Sequence, residues 1–181
     1  ADLLVEASGL PEVGDARELV VDRRNIIRAN IATARRLTSE SIGVADSPLD
    51  FRKPKALGRD IKADYDLLKA GNGYDNHYIL SMKQPTELAF NARIRDPKSG
   101  RVLEVWSTEP GIQLYSGNFL EGKIPRDLGK GSVVMPFRSA FCLEPSRFPD
   151  SVNQPGFPST EIKPGEWYSG KIVYKFSTDK K

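Results

Sequence analysis

The strongest constraint on the fold is an alternation of apolar and polar side chains on either side of a turn, between residues 88 and 107. In the segment LAFNARIR, one side carries Leu88, Phe90, Ala92 and Ile94, and the other side is more polar. The following DPKSG supplies a proline that presets one turn dihedral and a glycine that permits a positive one. The alternation then resumes from residue 101 to residue 107. Because side chains of a strand alternate between two faces, this pattern predicts a β-hairpin.

Short apolar runs extend this β pattern along the chain. Fifteen glycines and thirteen prolines punctuate the 181 residues, which favours an all-β chain over a helical one. Further strands are predicted at Glu18–Val21, Asn76–Leu80, Ile112–Tyr115, Ala140–Leu143 and Tyr168–Phe176. Strands at this spacing, with turn residues between them, indicate a β-sandwich or barrel.

Two segments depart from the pattern. Between residues 25 and 37, apolar positions spaced by four and three predict one face of a short helix. Residues 46–60 contain two prolines and are predicted to form an irregular loop. We find no internal repeat and no linker, so residues 1–181 are interpreted as one domain or part of one.

Charge and composition exclude several classes of partner. No apolar run is long enough to cross a bilayer, so no membrane partner is expected. The net charge is only +3, and the arginine-rich stretch from residue 23 to residue 36 has no interleaved aromatic residues. Nucleic acid is therefore not an expected partner.

The counts of cysteine and histidine limit the chemistry further. The chain has one histidine and one cysteine, which argues against a zinc site because such sites draw on several of these ligands. The single Cys142 cannot form an internal disulfide, which is compatible with a reducing compartment. We therefore expect a cytoplasmic protein.

The first candidate for chemistry is Glu144. It follows the apolar run 141–143 and precedes Pro145, which is predicted to end the strand. A carboxylate there could face a cleft, where partial burial would raise its pKa toward that of a general base. From spacing alone, however, a glutamate in a surface ion pair is the favoured interpretation, because most carboxylates are solvated.

Two further clusters resemble a sugar-binding surface. The segment GYDNHY places Asp75 and His77 at the start of a predicted strand, and residues 109–119 place Gln113 among aromatic residues. Sugar hydroxyls pair with carboxylates and amides, while sugar C–H faces stack on aromatic rings. Each cluster also fits a simple turn, and a lone histidine is by default a hydrogen-bonded structural imidazole.

Four segments, in the same order, resemble motifs of the aldose 1-epimerase (galactose mutarotase) family. They are PLDFRKPKALG (48–58), GYDNHYIL (73–80), VWSTEPGIQLYSGNF (105–119) and FCLEPSRFPDSVNQPGFPST (141–160). The resemblance is clear over residues 44–176 and poor over residues 1–43. It implies an all-β fold, a large distorted antiparallel β-sandwich of the galactose mutarotase type, formed by residues 1–181 as a single domain that is incomplete at its N-terminus.

The resemblance also implies an activity. Members of the family interconvert the α and β anomers of a free aldohexose, glucose or galactose, by acid/base ring opening, without cofactor or metal. Glu144 stands where the family has its general base. Asp75 and Gln113 stand where the family binds the sugar. His77 is assigned to sugar binding too, although this chain reads Asp-Asn-His where the family usually reads Asp-His-Asn.

The family's general-acid histidine belongs to a motif of the form NHxYFN, upstream of all four segments, and residues 1–9 contain no histidine. We therefore expect the chain to correspond to the C-terminal half of the domain, as a fragment or as a shortened relative, and to be a poor mutarotase alone. Two other functions stay open. One is a carbohydrate-binding protein of the same fold, and the other is a glycosidase with Glu109 and Glu144 as its carboxylate pair.

Overall fold

The computed structural model of the protein describes residues 18–21, 23–29, 37–81, 86–123 and 125–179. Within these ranges the chain is built almost entirely from strands: β1 (Glu18–Val21), β2 (Arg23–Ala29), β3 (Leu37–Gly43), β4 (Lys55–Ala56), β5 (Asp75–Leu80), β6 (Ala89–Arg95), β7 (Arg101–Ser107), β8 (Gly111–Tyr115), β9 (Cys142–Ser146) and β10 (Ile172–Thr178). The helical elements in these ranges are short: α1 (Leu57–Asp60), α2 (Asp66–Ala70) and the 3₁₀ turns Pro125–Asp127, Lys130–Ser132 and Ser151–Asn153.

The strands form two five-stranded antiparallel sheets. One has the order β10-β7-β6-β1-β4 and the other has the order β3-β2-β5-β8-β9. Both sheets contribute to one buried cluster, with Ile94 and Val105 from the first sheet and Tyr78 and Leu114 from the second. The prediction of an all-β antiparallel sandwich is therefore confirmed. No helix among the described residues is both long and apolar enough to span a membrane.

The hairpin that the alternation predicts is formed by β6 and β7. Ile94 lies opposite Leu103, and both side chains are buried. Phe90 lies opposite Trp106, and their rings meet edge to face at 5.4 Å. The register shifts between Phe90 and Ala92, which marks a β-bulge.

The prediction of a helix between residues 25 and 37 is wrong for the residues that the structure describes there. Residues 23–29 form β2, which pairs with β3 on one side and β5 on the other. The neighbouring Ile26 and Ile27 are β-branched, and such residues fit a strand between two partners better than a helix. Residues 30–36 lie outside the described part of the chain.

The prediction that Pro145 ends its strand is also wrong. Strand β9 continues through Pro145, which lies opposite Ile112, to Ser146. Since β9 is the outer strand of its sheet, the N–H that proline lacks is not required on the open side. Glu144 therefore lies inside the strand rather than at its end.

Two other boundaries differ from the sequence prediction. The last strand begins at Ile172 rather than Tyr168. The loop predicted at 46–60 is irregular only up to residue 54 and then enters β4 and α1. The irregular part is fastened to β5, because Tyr78 donates a hydrogen bond to the Leu49 carbonyl at 3.2 Å.

We predict that the core between the sheets depends on β8. Replacing Leu114, which is fully buried, with alanine leaves a cavity and should lower the free energy of unfolding by about 2–5 kcal/mol. Urea denaturation measures this loss. Leu88→Ala is the control, because Leu88 is 41% exposed and surface changes of this kind cost within about 0.5 kcal/mol. Equal losses in the two variants would contradict the described core.

Candidate functional site

Strands β5, β8 and β9 gather the predicted site residues on one face of their sheet. Gln113 on β8 lies directly opposite both His77 on β5 and Glu144 on β9. Asp75 lies opposite Tyr115, two positions further along the same two strands. Directly opposed residues point to the same face, so these side chains share one surface. The residues that alternate with them face the core and include Tyr78, Ile112, Leu114 and Leu143.

A hydrogen bond joins the two predicted sugar-binding residues. Gln113 Nε2 donates to Asp75 Oδ1 at 2.7 Å. Burial raises the pKa of Asp75, and the hydrogen bond from Gln113 opposes this by stabilising the carboxylate. The Gln113 carboxamide keeps a second N–H and its carbonyl oxygen for other partners. Together the two side chains offer both donors and acceptors on one surface.

Glu144 is half-buried at the centre of β9. The pKa of Tyr174 is raised, mainly by burial and to a lesser extent by the negative charge of Glu144. The Tyr174 hydroxyl donates to the Leu143 carbonyl at 3.1 Å and so fastens β9 to β10 of the other sheet. Glu144 is therefore held on a fixed strand and is still reachable from solvent.

His77 lies on the same surface but is only 1% exposed. Phe148 packs edge to face against its ring at 5.7 Å. Burial lowers the pKa of His77 to about 4, so the imidazole is neutral at pH 7. The structure thus places His77 beside Gln113 but covers it, and its role in sugar binding stays a prediction.

The glycine at the start of β8 makes room for this imidazole. A β-carbon at Gly111 would lie 2.0 Å from His77 Nε2, so no other residue fits without a shift. On the far side of His77, Phe148 packs edge to face on Phe157 at 5.2 Å. Phe157 in turn lines a cavity of 450 Å³ within the segment 151–161. The segment that follows β9 therefore forms one wall beside the site.

A second cluster, which the sequence did not reveal, surrounds Glu109. This carboxylate is 5% exposed and accepts a hydrogen bond from the Tyr168 hydroxyl. Arg147 Nε lies 3.6 Å from its other oxygen. A glycosidase needs both of its carboxylates free to flank one glycosidic bond. Because Glu109 is buried and engaged, the pairing of Glu109 with Glu144 is disfavoured.

A larger cavity, of 830 Å³, lies elsewhere, in the loop between residues 46 and 60. Its lining contains none of the predicted site residues. Its charged side chains are largely paired with one another, as in the ion pair of Asp50 with Arg52 at 2.7 Å and that of Lys55 with Asp60 at 2.8 Å. We therefore assign the candidate site to the polar surface of β5, β8 and β9 and not to this cavity.

The side chains of the site that could act as metal ligands offer oxygen atoms and one buried imidazole. Within the described ranges, no group of three or more histidine, cysteine, aspartate or glutamate side chains is placed to hold a metal ion. The surface offers hydrogen-bonding groups on Asp75 and Gln113 and a half-buried carboxylate on Glu144.

Comparison with known proteins identifies the family to which this fold and surface belong. The sequence profile described as aldose 1-epimerase matches residues 28–175, so the chain belongs to the aldose 1-epimerase family. It is 44% identical over 140 residues to human galactose mutarotase, covering 77% of this chain and 38% of that protein. It is 35% identical over 136 residues to the aldose 1-epimerase of Escherichia coli K12, covering 74% of this chain and 37% of that protein.

A solved structure agrees with the sequence comparison. An aldose epimerase homologue from C. elegans superposes with a TM-score of 0.77 at 27% identity, covering 94% of this chain and 48% of that chain. The present chain thus spans less than half the length of each of these three relatives. Family and fold are shown by these matches.

We predict that the fit of Gly111 against His77 fixes the register of β8. Gly111→Ala should lower the free energy of unfolding by about 1–3 kcal/mol through overpacking. In the double variant Gly111→Ala/His77→Ala, the loss should be smaller than the sum of the single losses, because the clashing ring is gone. Chemical denaturation of the three variants measures the coupling.

The matched control is Gly156→Ala, since a β-carbon there meets no atom within 4 Å. This variant should retain the stability of the parent chain. A Gly111→Ala variant as stable as Gly156→Ala would contradict the described packing of His77.

Proposed function

We propose that the surface of β5, β8 and β9 binds a free aldohexose and that Glu144 is the general base of its mutarotation. The observation that carries the proposal is the arrangement of three side chains. Gln113 is hydrogen-bonded to Asp75 on one neighbouring strand and lies opposite Glu144 on the other. The names of the relatives, galactose mutarotase and aldose 1-epimerase, support the same activity.

Sugar binding follows from the donors and acceptors of the surface. The Asp75 carboxylate accepts hydrogen bonds from sugar hydroxyls, and charge-assisted bonds of this kind are stronger than neutral ones. Gln113 donates one N–H to Asp75, which leaves its second N–H to bind the ring substituents. The chemical class of ligand that fits is a polyhydroxylated ring.

The proposed reaction is ring opening by proton transfer. Glu144 removes the proton from the C1 hydroxyl, the electron pair forms the aldehyde, and the C1–O5 bond breaks as O5 gains a proton. Rotation about C1–C2 and closure on the other face of the aldehyde then give the other anomer, with the protons returned. A positioned base of this kind contributes about 10²–10⁴ in rate.

The source of the proton for O5 limits the proposed rate. The chain contains one histidine, His77, and it is neutral and covered. We propose that water protonates O5 when this polypeptide acts alone, which makes it a slow mutarotase. The same observation favours a second candidate, a carbohydrate-binding protein that retains Asp75 and Gln113 but makes no use of Glu144.

The two candidates predict different effects of Glu144→Gln. If Glu144 is the base, this variant loses anomer interconversion by roughly 10²-fold or more and retains hexose binding. Polarimetry with freshly dissolved α-galactose or α-glucose measures the first quantity, and isothermal titration calorimetry measures the second. The exposed Glu87 supplies the control Glu87→Gln. Unchanged interconversion in Glu144→Gln would contradict the assignment of the base and favour the binding protein.

Asp75→Asn tests the binding surface separately. Loss of a charge-assisted hydrogen bond costs about 1.5–3 kcal/mol, so the dissociation constant of the hexose should rise by roughly 10–100-fold. Asp66→Asn, at an exposed position of α2, should bind as the parent chain does. Equal affinities for the two variants, measured by calorimetry, would place the sugar elsewhere.

A further inference from the structure

The position of His77 beside Gln113 raises the question of what a covered imidazole does in this surface. It lies directly opposite Gln113 across the β5–β8 pair. Gly111 lies against the Nε2 edge of the ring, and Phe148 packs edge to face with the ring. The ring is thus confined on two sides, and Gln113 is the residue directly opposite it on β8.

The orientation of Gln113 follows from its neighbour Asp75. A carboxylate accepts hydrogen bonds and repels a carbonyl oxygen, so the N–H end of the carboxamide faces Asp75, as observed at 2.7 Å. The carbonyl oxygen is then directed away from Asp75. His77 occupies the position directly opposite Gln113 on β5.

The two ring nitrogens of His77 are not equivalent. Nε2 is buried and has no hydrogen-bond partner among the described residues. Nε2 faces Gly111, and Gln113 lies directly opposite His77, so Nδ1 is the ring nitrogen that is available to the Gln113 carboxamide. The Gln113 side chain also opposes the effect of burial on the His77 pKa. A neutral imidazole carries one N–H. An N–H on Nδ1 can donate to the Gln113 carbonyl oxygen, whereas an N–H on Nε2 would have no acceptor among the described residues.

We propose that His77 is a positioning residue that acts through Gln113. Its Nδ1–H donates to the Gln113 carbonyl oxygen and fixes the carboxamide with its N–H group toward Asp75. The chain of donors therefore runs from His77 through Gln113 to Asp75. The sugar then meets a carboxamide of one fixed orientation. The orientation of the Gln113 carboxamide does not depend on the proposed function. The effect of that orientation on sugar affinity does rest on the proposed function.

Charged groups around His77 do not override its neutral state. Asp75 precedes it by two residues on β5, Glu144 lies opposite Gln113, and Glu109 precedes Gly111 by two residues in the chain. Carboxylates in general favour an imidazolium, and Arg147 pairs with Glu109; the contribution that raises the His77 pKa comes from the Gln113 side chain. Burial is the largest effect and keeps the ring uncharged.

Nitrogen NMR of the isotopically labelled 181-residue chain tests the orientation without any variant. Two-bond proton–nitrogen spectra of the imidazole report which nitrogen carries the proton. We expect the Nδ1–H tautomer, unchanged between about pH 5 and pH 8, because the pKa is lowered to about 4. An Nε2–H tautomer, or a ring that titrates near 6.5, would overturn the proposal.

A pair of variants tests the action through Gln113. His77→Asn keeps an N–H close to the position of Nδ1, whereas His77→Leu keeps the volume and removes the donor. The Gln113 side-chain amide resonances should shift in the leucine variant and recover in the asparagine variant. Hexose affinity, by calorimetry, should fall about tenfold with leucine, the effect of one lost hydrogen bond, and recover with asparagine.

The tautomer, the Gln113 resonances and the hexose affinities together distinguish failure of the positioning role from failure of the proposed function. Unchanged Gln113 resonances in His77→Leu would overturn the positioning role. If the parent chain binds hexose, equal hexose affinities in the two variants would overturn it too. If the parent chain binds no hexose but the tautomer and the Gln113 shifts are as expected, the proposed function fails and the positioning role stands. The tautomer measurement decides the matter even if a variant does not fold.

Discussion

The antiparallel pairing of β8 with β5 on one side and β9 on the other is the constraint on which the candidate site depends. It sets Gln113 opposite both His77 and Glu144. A slip of one residue would turn the polar row into the core and Leu114 out to solvent. The core and the candidate site therefore lie on opposite faces of the same three strands. Burial of the apolar face fixes the register of the strands, and the register positions the side chains of the polar face.

The polar face has its own restraints on register. Gly111 is the residue that admits the His77 ring, and the hydrogen bond from Gln113 to Asp75 links adjacent strands at their diagonal positions. At the same end of β8, the contact of Glu109 with Tyr168 ties this sheet to the segment entering β10. These restraints hold donors, acceptors and a carboxylate in fixed relation, as the proposed hexose site requires, and the chain belongs to the aldose 1-epimerase family.

Local patterns in the sequence predicted the hairpin of β6 and β7 and most other strands, because alternation and turn residues are local properties. Local patterns give the wrong prediction where the structure of a segment depends on strands that are distant in the sequence. Ile27 fits a helical spacing, but β5, which pairs with it at His77, begins many residues later. The prediction that Pro145 ends its strand is wrong because β9 is the outer strand of its sheet, and a sequence does not show which strand is outermost. Likewise, the contact of Tyr168 with Glu109 joins residues 59 positions apart, and no local motif signals it.

The most direct test of the account is an NMR titration of the labelled chain with galactose or glucose. The central claim is that the hexose binds on the polar face of β5, β8 and β9. It predicts saturable shifts in the backbone amides of these strands and in the Gln113 side-chain amide, with the segment from residue 46 to residue 54 unchanged. Shifts confined to that segment and its 830 Å³ cavity, or no shifts at high hexose concentration, would contradict it.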